Sequence, residues 1–144
     1  MDLYPIRYRL PKLAFHADAR ADLEEIRKLD HQSASRIVAL AQQVNADANL
    51  LDRLTQHDFG LAGTADFHVS RWETQQNRHR RNLWRLKLWD LENDGIRYRL
   101  VYAFEPSSHE LYVLGITPRR TFNYEDNDPF TRRVVACYDR YFSK

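Results

Sequence analysis

The sequence predicts an α+β domain in which helices lie on an antiparallel sheet of about four strands. Three observations predict it. Ile37, Leu40, Ala41 and Val44 fall at i, i+3, i+4 and i+7, the spacing of one buried helix face. Leu83 to Thr117 is instead rich in Tyr, Val, Leu and Ile, and is broken by Asn93-Asp94-Gly95 and Pro106-Ser107-Ser108. Asp128-Pro129 then opens a last helix, because aspartate caps a helix start and proline suits its first turn. Helices, then strands, then a helix is the order of an α+β domain, not of alternating βα units.

Each element follows from its residues. Residues 1–9 carry Tyr4, Pro5 and Tyr8 without clear period, and read as an N-terminal extension or a short lead-in strand. Leu13-Ala14-Phe15 is a first strand. Asp18 is the expected cap of a helix reaching Leu29, with Ala19, Leu23 and Ile26 as its inner stripe. Ser33 or Ser35 caps a second helix, and the short link makes an antiparallel hairpin. Leu50, Leu51 and Leu54 add a further helical turn or two, and Gly60 and Gly63 punctuate a loop. Phe67, Val69 and Trp72 make a short strand, and Thr74–Asn82 reads as a solvated basic loop. Leu83–Leu91 is a strand that points Trp84, Leu86 and Leu88 one way and Arg85, Lys87 and Trp89 the other. Asn93-Asp94-Gly95 is a tight turn into the strand Ile96–Phe104. Leu111–Thr117 is the next strand, ended by Pro118. Phe130, Val134, Tyr138 and Tyr141 stripe the last helix.

The bulk properties bound the class. A chain of 144 residues with 43% hydrophobic and 29% charged residues is one globular domain with a real core. No run approaches the roughly 18 apolar residues of a membrane helix, and the N-terminus has no signal-type apolar core, so the protein reads as cytoplasmic with no membrane partner. A single cysteine, Cys137, excludes an internal disulfide and reads as a small buried helix residue. The six histidines show no pair at ligand spacing, so no metal or other cofactor is expected. Glu125, Asp126 and Asp128 are better explained by helix capping than by Mg²⁺. GxSxG, HExxH, P-loop and GxGxxG motifs are absent, which excludes the usual signatures of hydrolases, zinc proteases and nucleotide-binding enzymes.

The net charge is only +2, so clustering matters more than the total. Arg85 and Lys87 alternate on one strand, Arg97 and Arg99 on the next, and Arg119 and Arg120 follow Pro118 with Tyr124 close behind. Paired strands bring these cations near one another, where they suit a polyanion; a merely solvated sheet face weighs evenly against that reading. Guanidinium groups match phosphate, and a tyrosine can stack on a base. Metal-free RNA cleavage needs a base for the 2′-hydroxyl, cations on the phosphorane and an acid for the leaving oxygen. Lys87, Tyr124 and the arginines are the candidates for these roles, which spacing alone leaves unassigned.

The strand Tyr98-Arg99-Leu100-Val101-Tyr102, preceded by Arg85-Leu86-Lys87 and followed by Val113-Leu114-Gly115-Ile116-Thr117-Pro118-Arg119, resembles the RelE/ParE superfamily of bacterial toxins. The resemblance spans Leu10 to Tyr141 in element order and is specific over Leu83 to Tyr124. It implies a single toxin domain with a cognate antitoxin as partner. RelE-type members enter the ribosomal A site and cut mRNA without metal, leaving a 2′,3′-cyclic phosphate and a 5′-hydroxyl. Carried over, their functional residues fall on Arg85, Lys87, Arg99, Arg119 and Tyr124, with Arg120 competing for the place of Arg119. The resemblance thus implies Lys87 or Tyr124 as the base, Arg99 and Arg119 on the phosphorane, and Arg85, Arg97 and Arg120 on the RNA backbone. The chain departs from the usual member in its N-terminal residues, in an insertion over 58–82, in a longer turn at Glu92–Gly95 and in a fuller last helix. The ParE branch shares the fold but targets DNA gyrase without catalysis, and a non-catalytic RNA-binding protein of this fold is a third alternative.

Overall fold

The computed structural model describes residues 12–142, and the reading of residues 1–9 lies outside them. Among the described residues, five strands and six α-helices follow in the order β1 (Leu13–Phe15), α1 (Ala17–Leu29), α2 (His31–Asn45), α3 (Ala48–Arg53), β2 (Phe67–Arg71), α4 (Glu73–His79), β3 (Leu83–Leu88), α5 (Trp89–Asn93), β4 (Tyr98–Glu105), β5 (Glu110–Pro118) and α6 (Pro129–Tyr141). The strands form one sheet of order β1-β5-β4-β3-β2. Strands β2 to β5 pair antiparallel, and β1 runs parallel to β5 with Leu13 opposite Leu111. The class is α+β as expected. The sheet, however, has five strands and is mixed, where about four antiparallel strands were expected. The N-terminal strand joins the sheet because β5 has an open edge with unpaired backbone groups. Leu111 N–H donates to the Lys12 carbonyl at 3.1 Å, and His16 N–H to the Val113 carbonyl at 2.9 Å.

The two sheet faces are covered differently. Ile37, Leu40 and Val44 of α2, with Leu54 after α3, pack on Val69, Leu86, Leu100 and Tyr102. Tyr102 is fully buried, its hydroxyl donates to the Leu54 carbonyl at 2.7 Å, and burial pushes its phenol pKa well up. On the opposite face, Val134, Cys137 and Tyr138 of α6 pack with Leu83, Val101, Ala103 and Leu114. Alternation puts Arg85, Lys87 and Arg99 on this second face with Val101. There α6 stops short, and the polar side chains line an open groove.

Several local readings change. Helix α1 starts at Ala17 with His16 as its uncapped boundary residue, so Asp18 sits in the first turn. Only Asp30 separates α1 from α2. Its carboxylate accepts from the backbone N–H and the hydroxyl of Ser33, so Asp30 is the cap and Ser33 the third residue of the helix; these bonds hold the Asp30 pKa down. Thr74–Asn82 is not simply a loop. Helix α4 fills most of it, ends at left-handed Arg80, and Arg81 pairs with Asp139 of α6 at 2.9 Å. The strand expected over Leu83–Leu91 stops at Leu88: Trp89 N–H makes one last ladder bond to the Asp66 carbonyl at 3.0 Å, and Trp89–Asn93 then coils into α5. Asn93-Asp94-Gly95 then closes α5 rather than a hairpin. Gly95 (φ 78°) and Ile96 donate back to Glu92 and Leu91, a glycine-dependent helix stop.

Asp22 of α1 ties three elements together. Its carboxylate accepts from Ile116 N–H of β5 at 2.8 Å, just past the end of β1, and from both terminal nitrogens of Arg133 on α6. Asp22→Ala leaves a strand N–H and a guanidinium without this acceptor. It should cost about 2–3 kcal/mol and lower the melting temperature by roughly 10 °C, measured by circular dichroism. A change under about 2 °C would show that the carboxylate does not join these elements.

Candidate functional site

The groove is assembled from three strands and the segment after β5. His68 and Ser70 come from β2, Arg85 and Lys87 from β3, Arg99 from β4, and Arg119 and Tyr124 from the segment after β5. Register explains the gathering. His68 pairs with Lys87 and Ser70 with Arg85, while Arg85 pairs with Val101 and Leu86 with Leu100, so the next step brings Lys87 level with Arg99. The cavity is about 220 Å³, which suits a short polar group such as a phosphodiester better than a whole cofactor. A second groove, lined by Arg97, Arg99, Arg119 and Arg120, continues from it. Arg99 and Arg119 belong to both. The sequence-predicted cations therefore form one basic track, with Arg85, Lys87, Arg99, Arg119 and Tyr124 in the deeper part and Arg97 and Arg120 in its extension.

The two arginines after β5 differ. Pro118 ends the strand, and Arg119–Thr121 makes one 3-10 turn. This turns Arg119 inward, where its guanidinium donates to the Phe122 carbonyl at 2.6 Å and lies 5.0 Å from the Tyr124 ring centroid. Arg120 is exposed. Tyr124 sits in the left-handed region (φ 65°), uncommon for a bulky side chain. Its surroundings hold it there. Phe122 packs at 4.0 Å and Trp72 edge-on at 5.6 Å between centroids, and the Arg85 guanidinium lies 4.2 Å from its ring.

The electrostatics are unbalanced. Arg99 donates to Glu92 at 3.0 Å, and both side chains are only about an eighth exposed (13% and 12%). Glu92 is the one carboxylate among the described residues that pairs with a cation of the deeper groove. Lys87 lies 4.7 Å from the Trp89 ring. Burial, and then the neighbouring Arg99, push its pKa below the ordinary lysine value, against the pull of Glu92. The charged form of Lys87 therefore costs stability in the folded state. That cost is full below its folded pKa and fades as pH rises to the unfolded value near about 10.4. Lys87→Met should raise stability at neutral pH by about 0.2–1 kcal/mol, with the gain shrinking above pH 10. Thermal melts at pH 7 and pH 10.5 check it, and a destabilised variant at pH 7 would overturn it.

His68, Ser70 and Glu92 went unseen in the sequence. The available signal was the alternation His68-Val69-Ser70 on a short strand, which becomes informative only once β2 is known to pair with β3. Of the acidic residues before α6, expected to act as caps, Asp128 alone caps the helix, and Asp126 faces α4 instead. Asp128 accepts from Phe130 and Thr131 N–H at 2.9 and 3.1 Å, and Asp126 lies 3.3 Å from the Gln75 side chain. Among the described residues, no group of three His, Cys, Asp or Glu side chains is arranged to hold a metal ion. Among them, too, no helix is long and apolar enough to cross a membrane. Comparison of the chain with models of protein families, with curated proteins and with solved structures gives no match.

Proposed function

We propose that the chain is a RelE-like toxin of a toxin–antitoxin pair, which cuts messenger RNA on the ribosome without a metal ion. One observation carries the reading: Arg85, Lys87, Arg99, Arg119 and Tyr124, scattered over two strands and the segment after β5, line a single groove of phosphate size. A scissile phosphate there meets Arg99 and Arg119, whose planar forks stabilise the charge that builds on a phosphorane. Phosphate also competes with Glu92 for Arg99 and offsets the repulsion around Lys87. Lys87 and Tyr124 line the same groove and are the groups that would exchange protons with the reacting oxygens. Arg85 holds the backbone, and Arg97 and Arg120 extend its path.

A neighbouring antitoxin would keep such an enzyme silent in the cytoplasm. The deciding experiment is primer extension on a message translated in a cell-free system, with and without the purified protein. Cuts that appear only on ribosome-engaged message support the reading and give the codon preference. An intact message with folded protein would overturn it and turn attention to gyrase, through a supercoiling assay, or to RNA binding without cleavage.

A further inference from the structure

The inserted strand β2 does more than extend the sheet. It places His68 and Ser70 on the groove wall, opposite Lys87 and Arg85. The Ser70 hydroxyl lies 3.5 Å from Nδ1 of His68. On the other side of the ring, Nε2 lies 3.3 Å from the Asp58 carboxylate. Ser70, His68 and Asp58 thus form a line that begins in the groove and ends at solvent. The carboxylate beside Nε2 favours the proton on that nitrogen, which leaves the Nδ1 lone pair towards the serine.

The line is held in place by backbone. Asp58 N–H donates to the Val69 carbonyl, and Val69 N–H to the Phe59 carbonyl, both at 2.9 Å. Arg71 N–H donates to Nδ1 of His57 at 3.1 Å. The loop is therefore stitched to β2 at Val69 and Arg71, just past His68. Asp58 adopts φ 63° to reach this position, a conformation aspartate tolerates better than most residues. The His68 side chain is only 17% exposed, yet it opens onto the cationic groove.

We propose that His68 is a catalytic residue of this groove: it takes the proton of the attacking 2′-hydroxyl through Ser70, with Asp58 as its positioning residue. This rests on the ribonuclease reading above. The 2′-hydroxyl proton passes to the Ser70 oxygen as the serine proton passes to Nδ1. The 2′-oxygen then bonds to phosphorus, and the bond from phosphorus to the 5′-oxygen breaks. Lys87 gives the leaving oxygen its proton. Imidazolium and free amine remain, and exchange with water restores both. Burial first, and then the charge of Lys87, keep the His68 pKa below its ordinary value, so the ring is a neutral acceptor at pH 7. Lys87 faces it from β3, and Asp58 and His57 face it from the loop.

The test compares single-turnover cleavage by wild type, His68→Gln, Ser70→Ala, Asp58→Asn and Arg119→Ala on message-programmed ribosomes between pH 5 and 8. Wild-type cleavage should fall as pH drops through the His68 pKa. His68→Gln should lose about 100-fold or more and lack that acid limb, with its melting temperature preserved. Ser70→Ala should lose roughly ten-fold. Asp58→Asn should move the acid limb to lower pH, because the carboxylate raises the His68 pKa. If His68→Gln melts early, Ser70→Ala and the shift in Asp58→Asn decide. Wild-type rates and pH profile in the His68 and Ser70 variants, alongside a dead Arg119→Ala, would overturn the relay and leave the ribonuclease reading standing. Folded wild-type protein that cuts nothing would overturn both.

Discussion

Arg119→Ala should slow message cleavage by about two to three orders of magnitude, the usual effect of removing one fixed donor from a developing negative charge. Its melting temperature should stay within roughly 3 °C of wild type, since the side chain contributes one hydrogen bond to Phe122 and a stacking contact to Tyr124. The size of the effect has two sources. The guanidinium supplies charge where the two grooves meet, and it also holds the Tyr124 ring from one side. Arg119→Lys separates them, because it keeps the charge without the planar fork. An intermediate rate is expected. Tyr124→Phe keeps the ring between Phe122 and Arg85 and removes only the hydroxyl. Loss of cleavage in that variant places the hydroxyl in the reaction, and a wild-type rate makes the ring a support for the arginines. Single-turnover rates with saturating protein are the measurement. Full cleavage by both Arg119→Ala and Tyr124→Phe would remove this groove as the site.

Gly60→Ala should be the most damaging small substitution in the described chain, costing more than about 4 kcal/mol. Gly60 lies at φ 91°, and a methyl group built on it falls 1.8 Å from the Phe67 carbonyl oxygen, which is backbone and cannot rotate away. Two penalties therefore add: left-handed strain for alanine and a collision with β2. The loop must lift off. That breaks the bonds from Asp58 to Val69 and from Val69 to Phe59, and it withdraws the Gly60 carbonyl from the Trp89 indole at 2.7 Å. Urea unfolding should show a fall of this size. Gly63→Ala gives the comparison, since a methyl group there meets nothing within 4 Å. Its penalty should stay near about 1–2 kcal/mol, from the left-handed φ 83° alone. Equal losses at the two glycines would show that the close approach to Phe67 is unimportant.

How legible this fold is in its sequence varies by element. Strong signals held. The stripe of α2, the alternation of β3 and the Asp128-Pro129 start of α6 each repeat one physical preference over several residues. The cationic residues of the groove were visible for the same reason, since they alternate on strands or follow a proline. Weak signals misled. Helix α4 carries Gln75 as its one buried residue, so no apolar period announces it. Helix α5 is hidden because Trp89 suits a strand and still makes the last ladder bond to Asp66, and the five-residue helix after it carries only Leu91 buried. The parallel pairing of β1 is three residues long and joins Leu13 to the distant Leu111, so nothing local encodes it. His68 was missed because a histidine on a short strand acquires chemistry only from its cross-strand neighbours.

Strand β5 is the last of the five to be made, yet it lies between β1 and β4. During synthesis, β1 and the helical hairpin therefore emerge long before the edge on which they dock. The sheet can close only when β5 has left the tunnel, and pairing across such a separation is slow. Arg119 and Tyr124 arrive later still. Until they emerge, the chain carries β2 and β3 with half a groove. On the proposed reading, cutting power appears only once β5 and the segment after it have left the tunnel, so the earlier strands are harmless while they wait.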